Sequence, residues 1–153
     1  MKNIALELTE IEGVWLIHFT NFPMWLKGDK THPTFNYALA SNKGSIGLRD
    51  EVRFLKHGKP KSIHGFDRPL DKNNRQFEWR GKGWMRILRS RWEILHLDAE
   101  QWGLIYFEKT LFTPEGYDVI SRKKELSAED LVAINKELDK RGIAEEMIRL
   151  HWD

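Results

Sequence analysis

Residues 77–88 of the chain, FEWRGKGWMRIL, interleave cations with aromatic rings in a way that allows two kinds of chemistry. Cations beside exposed rings bind single-stranded nucleic acid, because the cations hold phosphates while the rings stack on bases. The same rings turned inward would form the apolar wall of a ligand pocket. In a strand, alternate side chains face opposite sides, so Phe77, Trp79 and Met85 share one face and the cations share the other. This separation favours the pocket wall and predicts no binding of nucleic acid.

The overall charge balance agrees with that interpretation. The chain has 25 Lys and Arg against 23 Asp and Glu, a net charge of +2, whereas phosphate binding requires a clear excess of cations. Its 153 residues, with seven Trp, eight Phe and three Tyr, fit one domain that buries many rings. We therefore predict a single domain over residues 1–153.

Other site chemistries find little support in the sequence. There is no cysteine, and the six histidines lack a paired spacing such as HxH or HExxH, so no metal site and no cofactor are predicted. Glu7, Glu10 and Glu12 interrupt the N-terminal segment, and no window reaches the roughly 18 to 20 apolar residues of a membrane span. We expect a cytoplasmic protein that does not insert into membranes. Whether it is a monomer or a dimer stays open.

The elements that must position the rings are mostly strands. Segments rich in β-branched and aromatic residues alternate with Gly, Pro and Asn along the chain, which is typical of consecutive short strands. Alternation is clearest in two neighbouring runs, Phe35-Tyr37-Leu39 and Ile46-Leu48-Asp50. We predict strands at 14–20, 34–41, 45–55, 61–66, 75–88, 91–97, 102–110, 116–121 and 147–152.

One segment, SAEDLVAINKELDKRG, predicts a helix instead. Ser127 is a good N-cap, and Gly142 stands where a helix-ending glycine belongs. The narrow apolar stripe of Leu131, Ile134 and Leu138 predicts that the helix lies outside the sheet, on the strand at 102–109. An open sheet of this size would leave two raw edges, so the sequence favours closure into a barrel of eight strands.

The order of these elements resembles the lipocalin family, in particular its bacterial members. Gly13-Val14-Trp15 resembles the family's G-x-W motif, and Ile120-Ser121-Arg122 resembles the arginine that ends the last barrel strand. Leu97-Asp98-Ala99 stands where many members have T-D-Y, and only Asp98 matches. The resemblance implies an all-β, eight-stranded antiparallel up-and-down barrel, or calyx, with one C-terminal helix outside and a final short strand. It also implies that Trp15 and Arg122 stack at the closed end.

The resemblance further implies that the barrel binds and carries or stores a small hydrophobic molecule such as a lipid, fatty acid or isoprenoid. The segment at 21–33 would arch over the mouth, with Trp25 in an apolar lid. With the strand phase set from Arg122, the predicted ligand-binding residues are Phe35, Tyr37, Leu39, Ile46, Leu48, Asp50, Phe77, Trp79, Met85, Trp92, Ile94, Ile105, Phe107, Asp118, Ile120 and Trp25.

Two alternatives stay open at this point. The inward rings could fill the barrel completely, which would make it a structural module without a cavity. Alternatively, the barrel could be an enzyme, such as an isomerase or hydratase of a lipid or isoprenoid. Asp50, Asp118, Tyr37 and His96 would then supply its acid and base, since a carboxylate in a low-dielectric interior acquires an altered pKa. Convergence of these four groups on one point would favour catalysis.

Overall fold

The computed structural model describes residues 4–153, and within this range nine strands form one antiparallel sheet. The strands of the sheet are β1 (Gly13–Thr20), β2 (Lys30–Asn42), β3 (Ser45–Lys56), β4 (Lys59–Pro69), β5 (Gln76–Gly81), β6 (Arg89–Leu97), β7 (Trp102–Phe107), β8 (Gly116–Ser121) and β9 (Ile148–Arg149). The sheet order is β2-β3-β4-β5-β6-β7-β8-β1-β9, and β1 also pairs with β2, which closes β1 to β8 into a barrel and leaves β9 outside it. The predicted eight-stranded up-and-down barrel is therefore confirmed.

Three α-helices accompany the strands in the described range: α1 (Leu8–Ile11), α2 (Pro23–Leu26) and α3 (Ala128–Lys140). Helix α3 begins as predicted, because the Ser127 hydroxyl accepts a hydrogen bond from the Asp130 backbone N–H at 3.0 Å. Its buried residues Ile134 and Leu138 pack against the outer face of β7 and β8. None of the helices within residues 4–153 has both the length and the apolarity needed to cross a membrane.

Strand alternation divides the buried side chains into two clusters. The inner cluster lies inside the barrel and includes Trp15 and Ile17, and the outer cluster joins α3 to Leu104 and Val119. Consecutive residues of β7 and β8 therefore pack on opposite sides of the sheet, which is typical of strands buried on both faces.

The end of the barrel where β1 starts is closed by the N-terminal segment. The Arg122 guanidinium lies 3.6 Å above the Trp15 ring and donates hydrogen bonds to the backbone carbonyls of Glu10, at 3.0 Å, and Ala99, at 3.1 Å. The Trp15 indole N–H donates to the Ile11 carbonyl at 2.8 Å. The stack implied by the resemblance is present, and it ties α1, β1 and the β6–β7 turn together.

Several predicted strand limits were wrong. The strand predicted at 75–88 ends at Gly81, and a 3₁₀ helix follows at Gly83–Ile87. Gly83 has a φ of +65°, and the Met85 backbone N–H bonds back to the Lys82 carbonyl at 3.2 Å, so the chain turns instead of extending. In addition, β4 continues to Pro69 instead of ending at 66, and the last strand covers only Ile148–Arg149.

Candidate ligand-binding site

A cavity of about 660 Å³ occupies the open half of the barrel. This volume lies within the roughly 300 to 1,000 Å³ of small-molecule pockets. Its walls come from residues of the seven strands β2 to β8, from α2, from the turn at Gly83–Ile87 and from the loop at 108–113. Large side chains fill the closed half of the barrel, so the cavity is confined to the half nearer the mouth.

Aromatic rings form a continuous wall of this cavity. Tyr37 stacks between Phe35, with ring centroids 5.9 Å apart, and Trp92, at 5.6 Å. Phe77 supports the far side of Trp92 at 4.5 Å, and Phe107 lies 6.1 Å from Phe35. The strands fix these ring pairs in different ways. Phe35 and Tyr37 are two residues apart on β2, and Phe77 and Trp92 are cross-strand partners on β5 and β6. Tyr37 meets Trp92 across the barrel, since β2 and β6 lie on opposite sides.

The lid predicted from the segment at 21–33 is partly helical. Trp25 on α2 is buried and meets Phe54 of β3 edge to face, at 5.5 Å between ring centroids. Phe22 packs on Phe107 at 5.3 Å. Both contacts join the lid to strands on opposite sides of the mouth, so α2 covers part of the entrance.

Three aspartates lie inside the barrel beside this wall. Asp50 is 5% exposed, and Asp67 and Asp118 are fully buried. The Trp92 indole N–H donates to one Asp67 oxygen at 3.0 Å. One oxygen of Asp50, the second oxygen of Asp67 and both oxygens of Asp118 have no hydrogen-bond partner among the described residues. Within residues 4–153 no group of three or more His, Asp or Glu side chains is arranged to hold a metal ion.

Burial changes the acidity of all three carboxyl groups. Desolvation raises the pKa of Asp118 to about 7, against a smaller lowering by the nearby Thr20 hydroxyl. It raises the pKa of Asp50 to about 6 and, together with the adjacent Asp50, raises the pKa of Asp67 well above its usual value. Burial and the three carboxylates together raise the pKa of Tyr37, which keeps its phenol neutral. The cavity is therefore acidic and only partly ionised near neutral pH.

Solved structures share the fold of this chain, although no protein-family model and no curated protein matches it. Insecticyanin from the tobacco hornworm Manduca sexta aligns with a TM-score of 0.77, over 100% of this chain and 85% of its own, at 12% identity. Lobster apocrustacyanin A1 aligns with a TM-score of 0.70 over 95% and 79%, at 13% identity. The siderocalin Ex-FABP aligns with a TM-score of 0.69 over 94% and 95%, at 14% identity. The chain has the lipocalin fold.

The lipocalin barrel places the sixteen predicted ligand-binding residues in three environments. Nine of them line the cavity: Trp25, Phe35, Tyr37, Asp50, Trp79, Met85, Trp92, Phe107 and Asp118. Five lie in the inner cluster without lining the cavity: Leu48, Phe77, Ile94, Ile105 and Ile120. Ligand contact at all fourteen of these residues stays a prediction.

The remaining two residues, Leu39 and Ile46, lie outside the lipocalin cavity, contrary to the prediction. They are 47% and 63% exposed. In the described chain, the pairing of β2 with β1 stops at Tyr37 and that of β3 with β4 begins at Leu48. The hairpin that carries Leu39 and Ile46 thus projects beyond the closed end of the barrel, where the inward face has no opposite wall.

The sequence analysis missed Asp67. The predicted strand at 61–66 stopped one residue short of it, although Ile63 and Gly65 already set the alternation that turns Asp67 inward. Gly65 also has a packing reason, because any Cβ there would collide with the Trp79 indole. Extending the period of two through Pro69 would have found the third carboxylate of the lipocalin interior.

His96 is not part of the site, so the four catalytic candidates do not converge. The register between β6 and β7 shifts between Ile94 and His96, and this bulge turns His96 away from the cavity. Its ring stacks on Trp102 in the outer cluster, with centroids 4.4 Å apart. Asp50, Asp118 and Tyr37 remain together in the lipocalin cavity, without the histidine that the catalytic alternative required.

Proposed function

We propose that this protein binds and carries or stores a small hydrophobic molecule in the open half of its barrel. The observation that carries the proposal is a cavity of about 660 Å³ with an aromatic wall and a partly covered mouth. Apolar walls with a few buried polar groups are typical of small-molecule sites. The siderocalin Ex-FABP functions through dual ligand specificities, and its fold supports extending ligand binding in general to this chain.

The proposal predicts uptake of a neutral fluorophore. N-phenyl-1-naphthylamine becomes more fluorescent in an apolar environment, and titration with the purified protein gives its Kd. In Trp79→Arg, a guanidinium enters the cavity opposite Asp67, the cross-strand partner of residue 79, and occupies space that the fluorophore needs. We expect this variant to weaken fluorophore binding at least tenfold while its circular dichroism stays unchanged.

Ile46→Arg is the matched control, because it adds the same charge at an exposed position outside the cavity. Its Kd for the fluorophore should stay within about twofold of that of the original protein. Equal binding by Trp79→Arg and Ile46→Arg would contradict the proposal that the ligand enters this cavity. No enhancement of fluorescence with the original protein would contradict the carrier function itself.

A further inference from the structure

Two carboxylates that line the cavity, those of Asp118 and Asp50, have oxygens without a hydrogen-bond partner among the described residues. Asp118 lines the cavity, is fully buried, and has neither oxygen hydrogen-bonded to a described residue. Asp50 also lines the cavity and leaves one oxygen unpartnered. A buried polar group without a partner is unfavourable, and an ionised one far more so. These oxygens therefore require donors from whatever occupies the cavity.

No cation of the protein supplies those donors in the described part of the chain. None of the salt bridges within residues 4–153 involves Asp50, Asp67 or Asp118. The cationic residues that line the cavity are exposed at its mouth: Arg89, Arg91 and Lys109. A ligand that reaches these carboxylates gains affinity where it supplies the missing hydrogen-bond donors.

The rings beside the carboxylates supply the apolar part of the site. Tyr37 is stacked between Phe35 and Trp92, and Phe77 covers the other face of Trp92, so these ring faces already have ring partners. Electrostatic effects of Asp50, Asp67 and Asp118 all reach the Tyr37 phenol. The negative potential of this interior volume therefore comes from the carboxylates, and the rings are left to contact an apolar group.

We infer that the molecule bound in this cavity is an organic cation, with a protonated amine directed at Asp118 and Asp50 and an apolar remainder against the rings. This inference rests on the proposed carrier function and specifies its ligand class. A fatty acid fits poorly, because its own carboxylate would face those of the protein. A neutral lipid would leave at least some of the carboxylate oxygens without donors.

Three probes of equal chain length test the inference: decylamine, decan-1-ol and decanoate. Each probe is titrated in competition with N-phenyl-1-naphthylamine near pH 8. At this pH an alkylamine is still protonated, because its pKa resembles that of lysine, about 10.4. We expect decylamine to bind at least tenfold more tightly than either other probe. The comparison uses the unaltered protein, so it does not depend on any variant folding.

Two variants test whether the ammonium group of decylamine binds beside Asp118 and Asp50. Asp118→Asn and Asp50→Asn should each weaken decylamine binding at least tenfold and change decan-1-ol binding by less than about threefold. Asp139→Asn is the matched control, since it removes the same charge at an exposed position on α3, and it should change neither affinity. Circular dichroism identifies a variant that fails to fold, and the other variant then serves alone.

The outcomes separate this inference from the carrier function. Fluorophore binding with equal or tighter binding of decan-1-ol or decanoate would overturn the cation inference and leave the carrier function standing. Displacement by decylamine that neither Asp118→Asn nor Asp50→Asn weakens would also overturn it. A protein that binds no fluorophore would overturn both proposals.

Discussion

At the scale of single residues, Asp118 has the environment that is hardest to reconcile with its charge. Burial raises its pKa to about 7, from 3.8 in the unfolded chain. A group whose pKa is raised by folding stabilises the native state below its unfolded pKa, and this contribution is lost as the pH rises through the folded pKa. The native state should therefore lose stability through this residue between about pH 4 and pH 7.5.

Replacing Asp118 with Asn should remove that pH dependence. Relative to the original protein, we expect Asp118→Asn to gain about 3 kcal/mol in free energy of unfolding as the pH is raised from about 5 to about 8.5. Urea denaturation at the two pH values measures the change. Asp139→Asn, in the exposed control position, should show a change below about 0.5 kcal/mol. An equal response of the two variants would mean that the Asp118 carboxyl is solvated in the folded protein.

The residue scale also shows where sequence reasoning works and where it stops. The inward positions of Asp50 and Asp118 follow from strict alternation, which the hydrogen-bonded register imposes on regular strands. His96 does not follow it, because one bulged residue in β6 inverts the phase of everything after it. A bulge of this kind has no residue signature here, so the position of His96 could not be predicted.

At the scale of elements, the β2–β3 hairpin contains two paired leucines of which one is buried and the other is exposed. Leu39 and Leu48 are cross-strand partners, yet Leu39 is 47% exposed while Leu48 is fully buried. The distinction depends on where the neighbouring strands stop pairing, and alternation in sequence contains no information about that. The turn after β5 was mispredicted for a similar reason, since GKGWM has strand-like residues but folds back at Gly83.

The two leucines of the hairpin therefore give a matched pair of variants. Leu48→Ala removes fully buried methyl groups and should cost about 2 to 5 kcal/mol of stability. Leu39→Ala should cost less than about 1 kcal/mol and leave the Kd of N-phenyl-1-naphthylamine unchanged, because its side chain lies outside the cavity. Chemical denaturation and fluorophore titration measure both effects. Weaker fluorophore binding by Leu39→Ala would restore that residue to the ligand site.

At the scale of the whole molecule, the order of elements is what the sequence predicts best. Edge strands of a large antiparallel sheet are unfavourable, and the capped helix has one narrow apolar stripe, so closure with the helix outside is the arrangement that satisfies both. Whether such a barrel is hollow depends on the packing of side chains from seven strands at once, which no local pattern specifies. The presence of the cavity is therefore visible only in the structure, although the sequence predicts six of its eight aromatic residues as site residues.

Closure of the barrel brings distant parts of the chain onto one guanidinium. Arg122 stacks on Trp15 at 3.6 Å and holds the carbonyls of Glu10 and Ala99, so a single side chain directly after β8 joins α1, β1 and the β6–β7 turn. Lysine retains the charge but lacks the planar fork that makes the stack and the two divergent hydrogen bonds. We expect Arg122→Lys to lower the free energy of unfolding by about 1 to 2 kcal/mol.

The loss of stability in Arg122→Lys should also be largest at the closed end of the barrel. Hydrogen exchange should accelerate first at amides held at the closed end, such as those of Leu6 and Glu10, because both belong to the N-terminal segment that Arg122 holds through the Glu10 carbonyl. Arg141→Lys is the control, since the exposed Arg141 pairs with Glu137 at 2.9 Å, a contact that lysine can maintain at a cost below about 0.5 kcal/mol. If Arg122→Lys instead accelerated exchange equally at both ends of the barrel, the guanidinium would contribute to overall stability without specifically securing the closed end.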